Sequence, residues 1–228
     1  IGTTTPQKKL EVWTGNGELS HFGSSSANAV GNYTGISLGY AENGNTAYRK
    51  VGIVGVGRGD GAARQDLAFL VDSNGDGGSA QLADTKMRIS HEGYVTTPNQ
   101  PSFRAYLNAS VGGGNVVSWT GTFHNIGSHF STANGRFTAP VAGVYQINLH
   151  YLSDNNSSQC DVYIRVNGVP NNGARTRSAT GTGHETTSAS HAISLSVGDY
   201  VDVQNGGSSV FYGDTSNTWS SFSGYLIG

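Results

Sequence analysis

Apolar residues in this chain recur at every second position in short runs, and no amphipathic stretch of period 3.6 lasts longer than two helical turns. The runs KKLEVW (8–13), GISLGY (35–40), VGIVGV (51–56), DLAFLVD (66–72) and TKMRIS (85–90) each carry one apolar face over four to seven residues. The turn Glu92-Gly93 and the pair Tyr94-Val95 follow them. Such alternation between Gly-rich and polar punctuation is the signature of β-strands. Further along, the same pattern predicts strands at 102–107, 116–123, 128–132, 135–138, 143–151, 160–166, 188–196, 200–205 and 219–227, with a weaker one at 172–176. The fold class read from the pattern is all-β.

The pattern changes character near Thr96-Thr97-Pro98-Asn99-Gln100-Pro101. All four lysines (Lys8, Lys9, Lys50, Lys86) precede this point, and two prolines in four residues favour an extended connection over helix or ladder. The expected organisation is a β-rich region over 1–97, a linker at 98–101 and a second domain over 102–228. The first region has few large apolar residues for its length and buries little by itself. A parallel trimer would pool three thin apolar faces.

Composition narrows the function classes. Gly makes up 34 of 228 residues and charged residues only 12%, a balance that suits turns and short strands. A formal charge of −2 argues against a nucleic-acid surface, which needs clustered Lys and Arg. No apolar stretch approaches the roughly 18 residues of a membrane span. Neither nucleic-acid binding nor membrane insertion is therefore expected, and no signal-peptide pattern is visible. The chain opens Ile1-Gly2-Thr3 and its single Met is Met87, so a longer parent protein is expected. Cys160 has no intrachain partner and reads as a buried thiol in QCDVYIRV.

Within the second region, Trp119, Asn125, Phe130, Phe137, Gly143, Tyr145, Ile147 and Leu149 stand in an ordered series around FTAPVAGVYQINLHY, followed by LSVGDYVDV and the closing FSGYLIG. This series resembles the globular head domain of the first complement component, the C1q family, over essentially all of 101–228. Trp119, Ile147 and Leu149 stand where the family usually has Phe or Tyr, and all three remain large and apolar. The resemblance implies an antiparallel jelly-roll head, trimeric, carried at the end of a stalk and without a catalytic centre. The opening IGTTTPQKKLEV and the run DLAFLVDSNGDGG…TKMRISHEGYV are similar to shaft segments of bacteriophage tail fibres. Together the two resemblances imply a homotrimeric receptor-binding tip on a virion. An upstream shaft and tail would carry it, and its target would be a bacterial surface polysaccharide or outer-membrane protein. The other reading is a secreted complement-head-like recognition or adhesion protein. A collagen stalk of Gly-X-Y repeats would mark that second type, and residues 1–97 have none.

Counting antiparallel connections sorts the loops onto two ends of the head. Connections 108–115, 152–159, 177–187 and 206–218 fall at one end, expected to be distal to the shaft, and 139–142, 167–170 and 197–199 at the other. The first group is longer and rich in Gly, Ser, Asn and Thr, the composition in which a rigid scaffold usually carries recognition. Candidate receptor contacts from these loops are Tyr212, Phe211, Asp214, His184, Glu185, Arg177, Asn155 and Asn156. Phe211 and Tyr212 supply rings that can stack on sugars; the other reading of Phe211 is inward packing against Trp219.

Three metal readings are open, for calcium or another divalent ion. The loop holding His184 and Glu185 corresponds to an apical loop that helps hold calcium in some relatives. Only Glu185 matches there, because Ser178 and Ala179 offer no carboxylate. Three copies of His184 near a symmetry axis could instead take a transition ion. In the first region Asp72, Asn74 and Asp76 open a D-x-N-x-D-G calcium loop, but Ala83 stands at the twelfth position, and a Gly-rich hairpin turn explains the same residues better. Arg58-Gly59-Asp60 reads as coincidence. No nucleophile elbow or zinc-protease motif is present. Asp199 and Asp202 are the nearest carboxylate pair on a folded segment but point to opposite faces, so no enzyme is expected.

Overall fold

The computed structural model describes residues 21–24, 26–39, 47–154, 159–178 and 183–228. It divides into two compact units, Ile1–Pro98 and Asn99–Gly228. The run at 8–13 lies outside the described residues.

Among the described residues, the first unit is one antiparallel meander. Strands β1 (Tyr33–Leu38), β2 (Val51–Gly57), β3 (Gln65–Val71), β4 (Thr85–Ile89) and β5 (Val95–Thr96) lie in sequential order across a single sheet. Val54, Val56, Ala68 and Leu70 form its small core, with Ala80 and Leu82 packed against them. Asp66 is buried beside this core and is neutralised by Arg58 and Arg88, while the His91 backbone N–H donates to it.

The turn from β3 to β4 corrects the calcium reading of Asp72, Asn74 and Asp76. Lys50 Nζ donates to Asp72 Oδ2 at 2.6 Å and to Asp76 Oδ1 at 2.9 Å, so an ammonium already stands between the two carboxylates. Asp72 Oδ1 accepts from the Asn74 backbone N–H and Asp76 Oδ1 from that of Gly78. These bonds fold the Gly-rich turn, and the Lys50 partnership pulls both carboxyls below their usual range.

The second unit is a jelly roll of two antiparallel sheets. Its strands are β6 (Ser102–Tyr106), β7 (Gly121–Ile126), β8 (Phe130–Ser131), β9 (Arg136–Thr138), β10 (Gly143–Asp154), β11 (Asp161–Val166), β12 (Val169–Arg177), β13 (His184–Leu195), β14 (Tyr200–Asn205), β15 (Val210–Phe211) and β16 (Ser221–Leu226). One sheet runs β13-β10-β16-β6-β7, with β15 added to the end of β10, and the other β12-β11-β14-β9-β8. Their inner faces meet on a nearly continuous aromatic core. Phe103 stacks on Phe130 and Phe137 at 4.7 and 4.8 Å between ring centroids, and Phe222 meets it edge-on at 5.0 Å. Trp119, Tyr145, Ile147 and Leu149 are buried in the same core. Gly224 has no side chain because a Cβ there would lie 2.7 Å from Ile147 and 2.9 Å from Phe103. Asn125 closes the turn before β8, donating to Phe130 O and accepting from Phe130 N.

Several boundaries differ from the alternation pattern. The strand expected at 116–123 lies at Gly121–Ile126, because Val116–Thr120 cross the molecule to bury Val117 and Trp119. Strand β13 begins at His184 instead of 188, and β10 continues to Asp154, so residues assigned to loops are paired. Strand β15 is a two-residue strand inside what reads as a polar loop. Gln100 donates to Leu226 O and Leu226 N–H to Pro101 O, so these two residues of the proline-rich stretch are built into the second unit.

Candidate functional site

Long connections gather at the end of the jelly roll away from where its first strand begins at Ser102 and its last strand ends at Leu226. Val111 and Phe211 exchange backbone hydrogen bonds of 2.9 Å each, joining loop 108–115 to loop 206–218. Ser153 Oγ donates to Glu185 O, and Ser209 Oγ to Asp154 O, so the ends of β10 and β13 join the same cluster. Gly213 lies against the backbone of Ala109, where a Cβ would sit 2.4 Å from its carbonyl oxygen. The opposite end holds short turns: Ala139 N–H donates to Asp199 O, Gly198 N–H to Ala139 O and Asn167 Nδ2 to Asp199 Oδ1. Length and position thus coincide, and the loop-rich end is a knitted platform.

The candidate residues divide on this platform. Phe211 is a correction: it is fully buried, its ring stacked on Tyr151 at 4.6 Å and 7° from parallel, so it cannot meet a receptor. Its partner is Tyr151, whereas Trp219 is 45% exposed at the same end. The cause is β15, which pairs Phe211 with Ser153 and turns the ring into the core. Tyr212 faces the other way by strand alternation and is half-buried, with its backbone held by Leu152 O and Ser220 Oγ. Its ring lies 4.8 Å from that of exposed His184. Two residues 28 positions apart in sequence therefore form one aromatic pair at the surface.

Three other candidates have intramolecular duties. Asp214 accepts from the backbone N–H groups of Ser216 and Asn217 and shapes its own loop. Arg177 Nη2 donates to Asp161 Oδ2 at 3.1 Å. Glu185 follows His184 on β13, so the two side chains point to opposite faces of the strand and cannot grip one ion together. Among the described residues, no three His, Cys, Asp or Glu side chains form a metal-binding group. Asn155 and Asn156 lie outside the described residues.

Neither carboxylate of the nearest acidic pair is poised for chemistry. Asp199 accepts from Asn167 and from the Ser196 backbone, and Asp202 is fully buried under the bidentate Arg165. Cys160 is buried against Asn205 with burial pushing its thiol up to about 12, far from a thiolate at neutral pH.

The C1q domain family model matches residues 102–227. The chain belongs to the C1q-domain family. Curated relatives include complement C1q tumor necrosis factor-related protein 3 of Mus musculus and of Homo sapiens. Each is 34% identical over 104 residues, which is 45% of this chain and 41% of the relative. The chain thus spans less than half the length of the curated relatives it matches. Among solved structures, the globular domain of zebrafish complement 1qA protein aligns with a TM-score of 0.46 and 17% identity, covering 57% of this chain and 98% of that one.

On this C1q domain, sequence reasoning missed the outer face of the β12-β11-β14-β9 sheet. Asp161 is held by Arg175 and Arg177, and Asp202 by Arg165 and Arg136. Arg175 and Arg136 also cover the rings of Tyr163 and Tyr200 at 5.2 and 4.0 Å. The guanidinium of Arg175, hydrogen-bonded to Asp161, draws that carboxyl down to about 2 despite burial. The signal was present as alternation of charge on β11 and β14, but only pairing puts the acids beside these arginines. Trp219 was also overlooked as a surface group, because a lone Trp before an apolar strand reads as core.

Proposed function

We propose that this chain is the binding end of an extracellular recognition or adhesion protein of the complement-head type. It works as a homotrimer and engages its target through the loop-rich end of the jelly roll. The observation that carries this reading is the segregation of long polar loops to one tied platform, with Tyr212 and His184 adjoining on it and Trp219 exposed at the same end. Tyr212 and Trp219 can stack on sugar rings or apolar side chains, and His184 contributes a polar edge. Binding at each copy is expected to be weak, with three copies converting it into stable attachment. No catalytic step is assigned, since the acidic groups of the nearest pair are committed to Arg165, Asn167 and backbone donors.

A narrower version places this trimer at the tip of a phage tail fibre, on a virion, where it attaches to a bacterial surface polysaccharide or outer-membrane protein. It is favoured by the first unit, a thin single-sheet β-meander preceding the head, where a collagen-type stalk would carry Gly-X-Y repeats.

The test is binding of the full chain to arrayed glycans and to whole bacterial and animal cells, repeated with Tyr212→Ala, His184→Ala and Trp219→Ala. At least tenfold weaker binding by one or more variants of unchanged melting temperature is expected. Undiminished binding by all three moves the site off this platform. Release of reducing ends from a bound polysaccharide would replace pure binding with catalysis.

A further inference from the structure

The first unit has two unlike faces. One carries its own core, Val54, Val56, Ala68 and Leu70, together with the ionic groups Asp66 and Arg88. Register fixes what lies on the other. Ile36 stands opposite Ile53, which stands opposite Phe69 and then Met87; Leu38, Val51 and Val71 form a second row. Leu67, Ile89 and Val95 form a third. Among positions in register the polar members of this face are Thr34 and Gln65, and no charged residue occurs; Lys86 occupies the bulge beside Met87. Yet Ile36, Leu38, Leu67, Val71 and Val95 are 39–57% exposed. Contiguous apolar faces of this kind mark association surfaces in soluble proteins.

We infer that this face is where three copies of the first unit close on one another, forming a shared apolar core around a threefold axis. The inference rests on the homotrimer proposed above and names the surface through which the first unit joins it. Chemistry favours a like partner: an uncharged apolar face offers nothing to a charged ligand or a lipid headgroup, and two more copies of itself bury it entirely. Geometry agrees. The five-stranded sheet has four gaps of about 4.8 Å, so three such sheets enclose a triangle whose sides lie roughly 5.5 Å from the axis, close to half the ~10 Å spacing of packed sheets. Three faces of roughly 20 by 20 Å bury on the order of 1,200 Å², at the lower end of specific interfaces. That area suffices because each copy is tethered to a head already in the trimer, which makes closure intramolecular.

The experiment uses the full chain with one added thiol, Val71→Cys, on the proposed face, and Ala83→Cys as an exposed control away from it; buried Cys160 stays silent. Mass by light scattering and maleimide labelling rate are read on the same samples. A trimeric mass with Val71→Cys labelled at least tenfold more slowly than Ala83→Cys is the expected result. Equal labelling in a chain of trimeric mass overturns this inference and leaves the head trimer standing, whereas a monomeric mass overturns both. Deleting residues 1–20 is the second arm: rapid labelling of Val71→Cys in a trimer lacking them means that the chain's own first segment covers the face, which also overturns it. Protection that appears only when phosphatidylcholine vesicles are added would assign the face to lipid instead.

Discussion

Phe211 lies flat on Tyr151, ring centroids 4.6 Å apart and planes 7° from parallel, at the point where the loop-rich end of the head meets its core. The pair anchors loop 206–218, so the neighbouring Tyr212 is presented from a fixed support.

Replacing Phe211 by Ala should therefore act on stability. A fully buried Phe truncated to Ala costs about 3–5 kcal/mol, and chemical denaturation of the full chain should show that loss in the transition of the C1q domain. Loss of ligand binding by a variant that retains wild-type stability would contradict the role assigned here.

Gly213→Val should separate stability from binding. Its Cβ would strike Ala109, whose backbone approaches within 2.4 Å of that position, and the bond from Gly213 N–H to Ser110 Oγ would stretch. The two loops part and Tyr212 moves, so target binding should fall at least tenfold while far-ultraviolet circular dichroism is unchanged. Binding equal to wild type would mean that Tyr212 and its loop do not form the contact surface.

Calcium at millimolar concentration should leave the melting temperature of the wild-type chain unchanged through the Asp72–Asp76 turn, because the Lys50 ammonium already occupies the position between the two carboxylates. Lys50→Met should destabilise the first unit and make the same turn responsive to calcium. A calcium-dependent shift in the wild type that disappears in Asp72→Asn would restore the metal reading of this loop.

The Asp161–Arg175–Arg177 cluster predicts a defined acid sensitivity. Asp161 falls from an ordinary 3.8 to about 2 in the folded protein, so the unfolded chain binds more protons between these values. Its stabilisation is complete above about pH 4 and is lost as pH falls through about 2. After allowance for solvent screening of the two half-exposed arginines, Asp161→Asn should cost about 1 kcal/mol at pH 7. Urea titrations of both proteins should converge near pH 2, and a difference that persists there would assign the effect to packing.

The strands were legible where one face is apolar. Residues 143–151 and 200–205 alternate cleanly, and both become core strands with Tyr145, Ile147, Val201 and Val203 inside. The run HETT (184–187) was not, because all its side chains are polar; strand pairing to β10 gives it regular structure without an apolar period. The candidate site was legible in its loops more than in its residues. Tyr212 emerged from sequence because a ring in a polar loop is conspicuous, and His184 because its loop corresponds to an apical loop of the family, but Phe211 has the same local appearance as Tyr212 and is buried by a two-residue pairing that no local pattern encodes. Lys50 likewise gives no hint of its partners, which lie 22 and 26 positions away.

The concentration of long loops at one end has a consequence for how such a head can change. Lengthening a flexible surface loop costs only about 0.6 kcal/mol per doubling, and the backbone ties at Val111, Leu152 and Ser220 hold the platform from beneath. Segments between those ties can be rewritten, shortened or extended while the registers of β10, β13 and β16 stay as they are. A lineage carrying this scaffold could exchange one target for another by altering a few dozen surface positions, with the aromatic interior inherited intact.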